Sequence, residues 1–153
     1  MSKNTIAVKN YLKIREEYVA TAAITPGMLV EVTAAGTVQA HSTESGNVLP
    51  MVAGEDALQG KLITEAYVAE QPVQVWVPTR GDIANMILAN GEDVAVGDFL
   101  ESDGNGALKK HTAATSGDIT EAVQPIVGVA LEAVDMSGSD GEDPSGRILV
   151  RIV

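Results

Sequence analysis

Residues 94–111, VAVGDFLESDGNGALKKH, repeat without a gap a stretch met earlier in the chain, residues 24–41, ITPGMLVEVTAAGTVQAH. Gly27 falls on Gly97, Glu31 on Glu101, Gly36 on Gly106 and His41 on His111. The apolar positions keep phase as well: Ile24 with Val94, Leu29 with Phe99, Val30 with Leu100, Val38 with Leu108. Each copy reads as an apolar residue, a Gly-centred turn, a short strand, a Gly-bearing hairpin and a second strand. Matched glycines and apolar residues at one fixed spacing point to a small supersecondary unit used twice.

The repeat continues past the hairpins. The first is followed by residues 49–58, LPMVAGEDAL, and the second by residues 124–134, QPIVGVALEAV, both proline-led apolar runs after a polar loop. Each is followed by a β-rich closing run, residues 73–77 and 148–153. The expected fold is therefore mainly β. A compact body over residues 24–153, β-barrel or β-sandwich-like, is built from two related lobes, with the internal repeat at 24–58 and 94–134. An extended N-terminal arm over residues 1–23 precedes it.

Composition agrees with this reading. At 153 residues the chain holds one domain, or two small lobes sharing a core. Its apolar residues are mostly Ala, Val, Ile and Leu. With fifteen Gly and six Pro, that composition favours short strands and many turns. The net charge of −11 is unevenly placed. Lys3, Lys9, Lys13 and Arg15 give the first fifteen residues +4 with no acid, whereas the rest carries twenty-one acids against six bases. An acidic body argues against nucleic acid, whose recognition needs a basic surface, and against an anionic membrane. A basic arm on an acidic body suits contact with a different, acidic surface. Ile6 and Val8, with Leu12 and Ile14 beyond them, alternate with polar residues, so the arm reads as a strand able to add to a neighbouring sheet edge.

Candidates for chemistry are few. Absence of cysteine excludes disulfides and thiolate metal sites. No apolar run approaches the ~20 residues of a membrane-spanning helix, and no hydrophobic signal core is read at the N-terminus. His41 and His111 occupy equivalent repeat positions and read as polar strand ends rather than metal ligands. No G-x-S-x-G, Walker loop or dinucleotide fingerprint occurs, and Ser116, Gly117 and Asp118 sit in loop composition. The acids of residues 137–146, SGSDGEDPSG, lack EF-hand spacing and read as a solvated hairpin loop. Arg80-Gly81-Asp82 matches the integrin-binding tripeptide, a match too short to carry weight. Asp82 offers an N-cap to a short helix through Leu88, with a bent strand as the alternative. The sequence is not read as an enzyme, and no cofactor or metal is expected. Trp76, alone on an otherwise polar strand face, is a candidate interface anchor, the alternative being packing under a loop. The apolar final run places Ile148, Val150 and Ile152 in a paired strand, inside the body or at a subunit interface.

At the repeat and its flanks the chain resembles the capsid decoration, or cement, proteins of tailed bacteriophages. The resemblance rests on VAVGDFLESDGNGAL at residues 94–108, PIVGVALEAV at 125–134 and the final strand at 147–153. It implies a β-rich protein bound to the outer surface of an assembled virion capsid, made in the host cytoplasm. Its partners would be the major capsid protein and itself, as a homotrimer near local threefold axes, with an N-terminal arm across capsid subunits. Lys3, Lys9, Tyr11, Lys13 and Arg15 are then the candidate capsid contacts. The alternatives are a phage tail or baseplate β module, and a carbohydrate-binding β domain with Trp76 as its platform.

Overall fold

The computed structural model describes residues 3–113, 123–139 and 146–153. In chain order its strands are β1 (Ala7–Lys9), β2 (Arg15–Val19), β3 (Val30–Val32), β4 (Val38–Ala40), β5 (Val52–Ala53), β6 (Pro72–Trp76) and β7 (Ile83–Leu88). They continue with β8 (Asp93–Val94), β9 (Phe99–Ser102), β10 (Leu108–Lys110), β11 (Ile126–Ala130), β12 (Val134–Asp135) and β13 (Gly146–Ile152). One short 3-10 turn, Ala57–Gln59, is present, and no α-helix occurs among the described residues. The mainly β expectation holds.

The repeat is a duplicated barrel. In the second lobe the order β7-β10-β9-β11-β13 closes on itself because β13 also pairs with β7. In the first lobe, β2-β6-β5 and the β3-β4 hairpin are joined by single bridges, Leu29 with Val52 and Ala20 with Val38. The resulting ring, β2-β6-β5-β3-β4, matches the second lobe strand for strand. Even the parallel seam recurs: Ala20 meets Val38 in parallel, as Leu88 meets Leu108. Barrel closure leaves each lobe without the open sheet edge that small β units otherwise expose.

Individual hydrogen bonds coincide as well. Met28 N–H donates to Thr25 O at 3.1 Å and Asp98 N–H to Ala95 O at 3.2 Å, closing turns whose third residues, Gly27 and Gly97, have φ of 94° and 92°. This is the type II geometry that Pro26-Gly27 predicts, and it requires a residue without Cβ. His41 N–H donates to Leu29 O at 2.9 Å, and His111 N–H to Phe99 O at 2.8 Å. Ala53 N–H reaches Met28 O and Ala130 N–H reaches Asp98 O, so Ala53 corresponds to Ala130. The two prolines, Pro50 and Pro125, therefore do not coincide, and an irregularity between Ile126 and Gly128 in β11 takes up the difference.

Two apolar clusters fill the molecule. Inside the first barrel lie Ile24, Val30, Val38, Met51, Tyr67, Val73 and Val75. The second cluster fills the other barrel and extends across the lobe boundary to Ile6, Leu29, Val52 and Trp76. All six residues of β7 are buried. One face (Ala84, Met86, Leu88) lines the barrel; the other is buried too, with Asn85 Nδ2 donating to Lys3 O, while the strand's backbone pairs with β1 and bonds Gly27 O of the first lobe. A strand covered on both faces reads as a continuous apolar run, which explains why 83–88 also fits helical spacing. Asp82 caps no helix. Its carboxylate accepts from Thr79 N–H at 2.8 Å and Tyr11 N–H at 2.9 Å.

Two readings are refined. The first concerns the arm, whose described residues, 3–23, are extended but lie on the body rather than standing away from it. β1 pairs with β7, β2 is a barrel strand of the first lobe, and Ile6 is wholly buried. The alternation that suggested a strand seeking a partner is satisfied within the chain. The second concerns Trp76, Ile148, Val150 and Ile152: of the two places open to them, packed within the body or at a subunit interface, they take the interior. Period-two alternation along β13 turns those three aliphatic residues into the barrel, while Arg151 faces solvent. The loop readings at Ser116, Gly117 and Asp118, and at residues 140–145, fall outside the described residues.

Candidate interaction surface

Residues 9–15 cross from the second lobe to the first. Both ends are fixed by backbone pairing, β1 on β7 and β2 on β6, and Val77 N–H donates to Ile14 O at 3.0 Å. Asp82 holds the Tyr11 amide between those anchors. With the backbone tied down, the side chains of Lys9, Tyr11, Leu12, Lys13, Ile14 and Arg15 point outward, and all are exposed. Tyr11 and Leu12 are each 60% exposed and adjacent, so apolar area sits beside the charges of the segment. The Lys9 ammonium sits 5.4 Å from the Tyr11 ring centroid, within cation–π range. The result is a basic, aromatic ridge on an otherwise acidic body.

Four of the five candidate contacts, Lys9, Tyr11, Lys13 and Arg15, are thus brought together. Lys3 is not. Its ammonium pairs with Glu132 at 2.6 Å, on the second lobe. Glu55 reinforces that tether by accepting from Thr5 Oγ1 and from Ile6 N–H. Arg80, which the sequence reading passed over, is exposed on the turn beside the ridge. A Cβ built on the adjacent Gly81 would meet the Tyr11 ring at 3.8 Å. Its signal lay in the tripeptide 80–82, whose aspartate is wholly buried and holds the ridge backbone.

The Glu and His matched between the two repeats form a pair within each lobe, but the two pairs differ. His111 Nδ1 donates to Glu101 Oε2 at 2.6 Å, whereas His41 Nε2 lies 3.7 Å from Glu31 Oε2. Burial alone would raise the Glu101 carboxyl. Hydrogen bonds from His111 and Ser45, with the nearby charges of His111 and Lys109, outweigh it and hold the group below the ordinary value. Glu31 is likewise lowered, against its burial, by hydrogen bonds from Ser42 and Gln39. Among the described residues no group of three or more His, Cys, Asp or Glu is arranged to hold a metal ion. Trp76, 3% exposed, offers no platform for a sugar ring, which removes the basis for the carbohydrate alternative.

No protein-family model and no curated protein matches the sequence. Among solved structures, the chain is similar to the N base of head fiber gp8.5 of bacteriophage phi29, with a TM-score of 0.56. The alignment covers 93% of this chain and 95% of that one at 12% sequence identity. The likeness therefore spans both lobes, and at that identity it is a likeness of fold.

Proposed function

We propose that this protein is a structural component of a tailed-phage virion, a decoration protein that binds the outside of the assembled head. The observation that carries the reading is the fold shared over nearly the whole chain with the base of a phage head fiber. The residues of the ridge agree with it. Lys9, Lys13, Arg15 and Arg80 supply positive charge, and Tyr11 and Leu12 supply apolar area, on a body that would otherwise repel an acidic shell.

In this reading the protein bridges adjoining capsomers as a trimer, with the major capsid protein as its partner. It works by area and multivalency. Three ridges held together raise the effective concentration of each, and avidity exceeds single-site affinity by roughly 10²–10⁴. Binding only the intact shell then stabilises it against disassembly.

Co-sedimentation with expanded, undecorated heads tests the proposal. Saturable binding is expected for the native chain, falling as salt screens the exposed charges. A Lys9→Glu, Lys13→Glu, Arg15→Glu variant should lose it while remaining folded, since all three side chains are exposed. Truncating the arm would not serve, because β2 belongs to the barrel. No binding by the native chain, or equal binding by the charge-reversed one, would overturn the reading.

A further inference from the structure

The duplication leaves each half of the lobe–lobe interface with an unused copy. On the first lobe the interface is made by Leu29, Val52 and Trp76, which are 0%, 0% and 3% exposed and belong to the cluster that crosses the boundary. Their positions in the second barrel are taken by Phe99, Val129 and Arg151, as the bridge of Leu29 with Val52 recurs in Phe99 with Val129. Val52 with Trp76 likewise recurs in Val129 with Arg151. There the face is open among the described residues. Phe99, the only phenylalanine, is 51% exposed, and Val96, the counterpart of buried Pro26, is 66% exposed.

The opposite half behaves in the same way. On the second lobe, Ile87 and Ser102 are buried against the first, with Ile87 N–H donating to Gly27 O at 3.1 Å and Ser45 N–H to Ser102 O at 3.0 Å. Their first-lobe counterparts, Val19 and Val32, are 44% and 42% exposed. Glycines report the asymmetry most directly. A Cβ on Gly106 would lie 2.9 Å from Ala40 and 3.3 Å from Leu29 O, across the boundary, whereas a Cβ on Gly36 would meet nothing within 4 Å. Gly27 is equally crowded by Arg147 and Asn85 of the second lobe, and Gly97 equally open.

We infer that a second copy of this chain docks its Val19–Val32 face onto the Phe99 face, repeating between chains the contact that already joins the two lobes within one. The occupant follows from the geometry. The open Phe99 face repeats the strand pairing of the face that receives one lobe within the chain, and the Val19–Val32 face occupies the matching place on the other lobe, so each is the counterpart of a surface already seated on its partner. Such a contact is heterologous: each chain gives one face and receives the other, which makes a ring where the rotation closes. The trimer proposed above is one such closure. Self-association and head binding are nevertheless separate measurements, so either reading can fail alone.

Sedimentation velocity on the purified full chain, from micromolar to hundreds of micromolar, tests the inference. The native protein should associate reversibly. Phe99→Asp and Val32→Asp should each weaken association by about tenfold or more, the usual effect of removing a buried anchor. Mixed in equal amounts, the two variants should form a heterodimer, because each retains the face the other has lost. Phe99→Ser and Val32→Thr, checked by circular dichroism, serve if either aspartate variant unfolds. A native chain that stays monomeric overturns the inference. So does dissociation by Phe99→Asp alone, which would mean a face pairing with itself, and so does insensitivity to both changes.

Discussion

His41 Nδ1 lies 2.7 Å from Ser102 Oγ, and this buried hydrogen bond joins the two lobes. The other ring nitrogen, Nε2, faces Asn47 O at 3.1 Å, an acceptor only, so in the neutral imidazole Nε2 carries the proton and Nδ1 accepts from the serine. Ser102 Oγ in turn accepts from Gly104 N–H at 3.1 Å. The position equivalent to Ser102 in the first lobe is Val32, which faces no partner lobe. Replacing Ser102 by alanine strands a buried ring nitrogen and a backbone donor. The expected loss is about 1–3 kcal/mol of unfolding free energy, read by urea denaturation; a loss near zero would mean that the bond does not tie the lobes.

Acid should weaken the same seam through Glu101. Its carboxylate, 3% exposed as a residue, accepts from Ser45 Oγ at 2.7 Å and from His111, with Lys109 at 3.5 Å. Because the fold holds this carboxyl below its ordinary value, the folded state favours the ionised form. Its contribution is complete above the value of the unfolded chain and is lost as pH falls through the lower folded value. Glu101→Gln should therefore be less stable than the native chain at neutral pH, with the difference shrinking below the ordinary carboxylate range. A difference that stays constant across that range would contradict the assignment.

Trp76 should report the union of the lobes. It is buried in the cluster that crosses the boundary, while its strand neighbours Val73 and Val75 fill the first barrel. Unfolding followed by its fluorescence and by far-UV circular dichroism should coincide as one transition. Trp76→Ala should cost about 3–5 kcal/mol. Trp76→Phe should cost much less, since Nε1 is buried without a partner. Two separated transitions in the native chain would mean that the lobes fold independently.

Much of this architecture was legible in the sequence, and what was hidden has one cause. Gly27, Gly36, Gly97 and Gly106 all have positive φ, a local demand that leaves a visible letter, so the repeat and its turns could be read directly. Which faces the lobes turn toward each other leaves no such mark. Trp76 and β13 look like interface elements because they are apolar, yet period-two alternation cannot tell an outer subunit from an inner barrel. The arm misled for the same reason. Ile6 and Val8 called for a sheet partner, and only the tertiary structure places that partner, β7, in the same chain. The exposure of Lys9, Lys13 and Arg15 was legible as well, because a charged side chain stays in water whatever the packing beneath it.

The paired glycines allow that division to be measured. Gly36 and Gly106 have φ of 76° and 82°, so alanine is strained at both to a similar extent. That shared penalty is about 1–2 kcal/mol. Only at Gly106 does the new methyl group also meet Ala40 and Leu29 O of the other lobe. Backbone oxygen cannot swing aside as a flexible side chain does, so the lobes themselves must part. Gly106→Ala should therefore be clearly less stable than Gly36→Ala by urea denaturation, and it should disturb Trp76 fluorescence in the folded state, which Gly36→Ala should not. Equal losses at the two positions would show that the turn alone selects glycine, and that the lobe contact at Gly106 has room to spare.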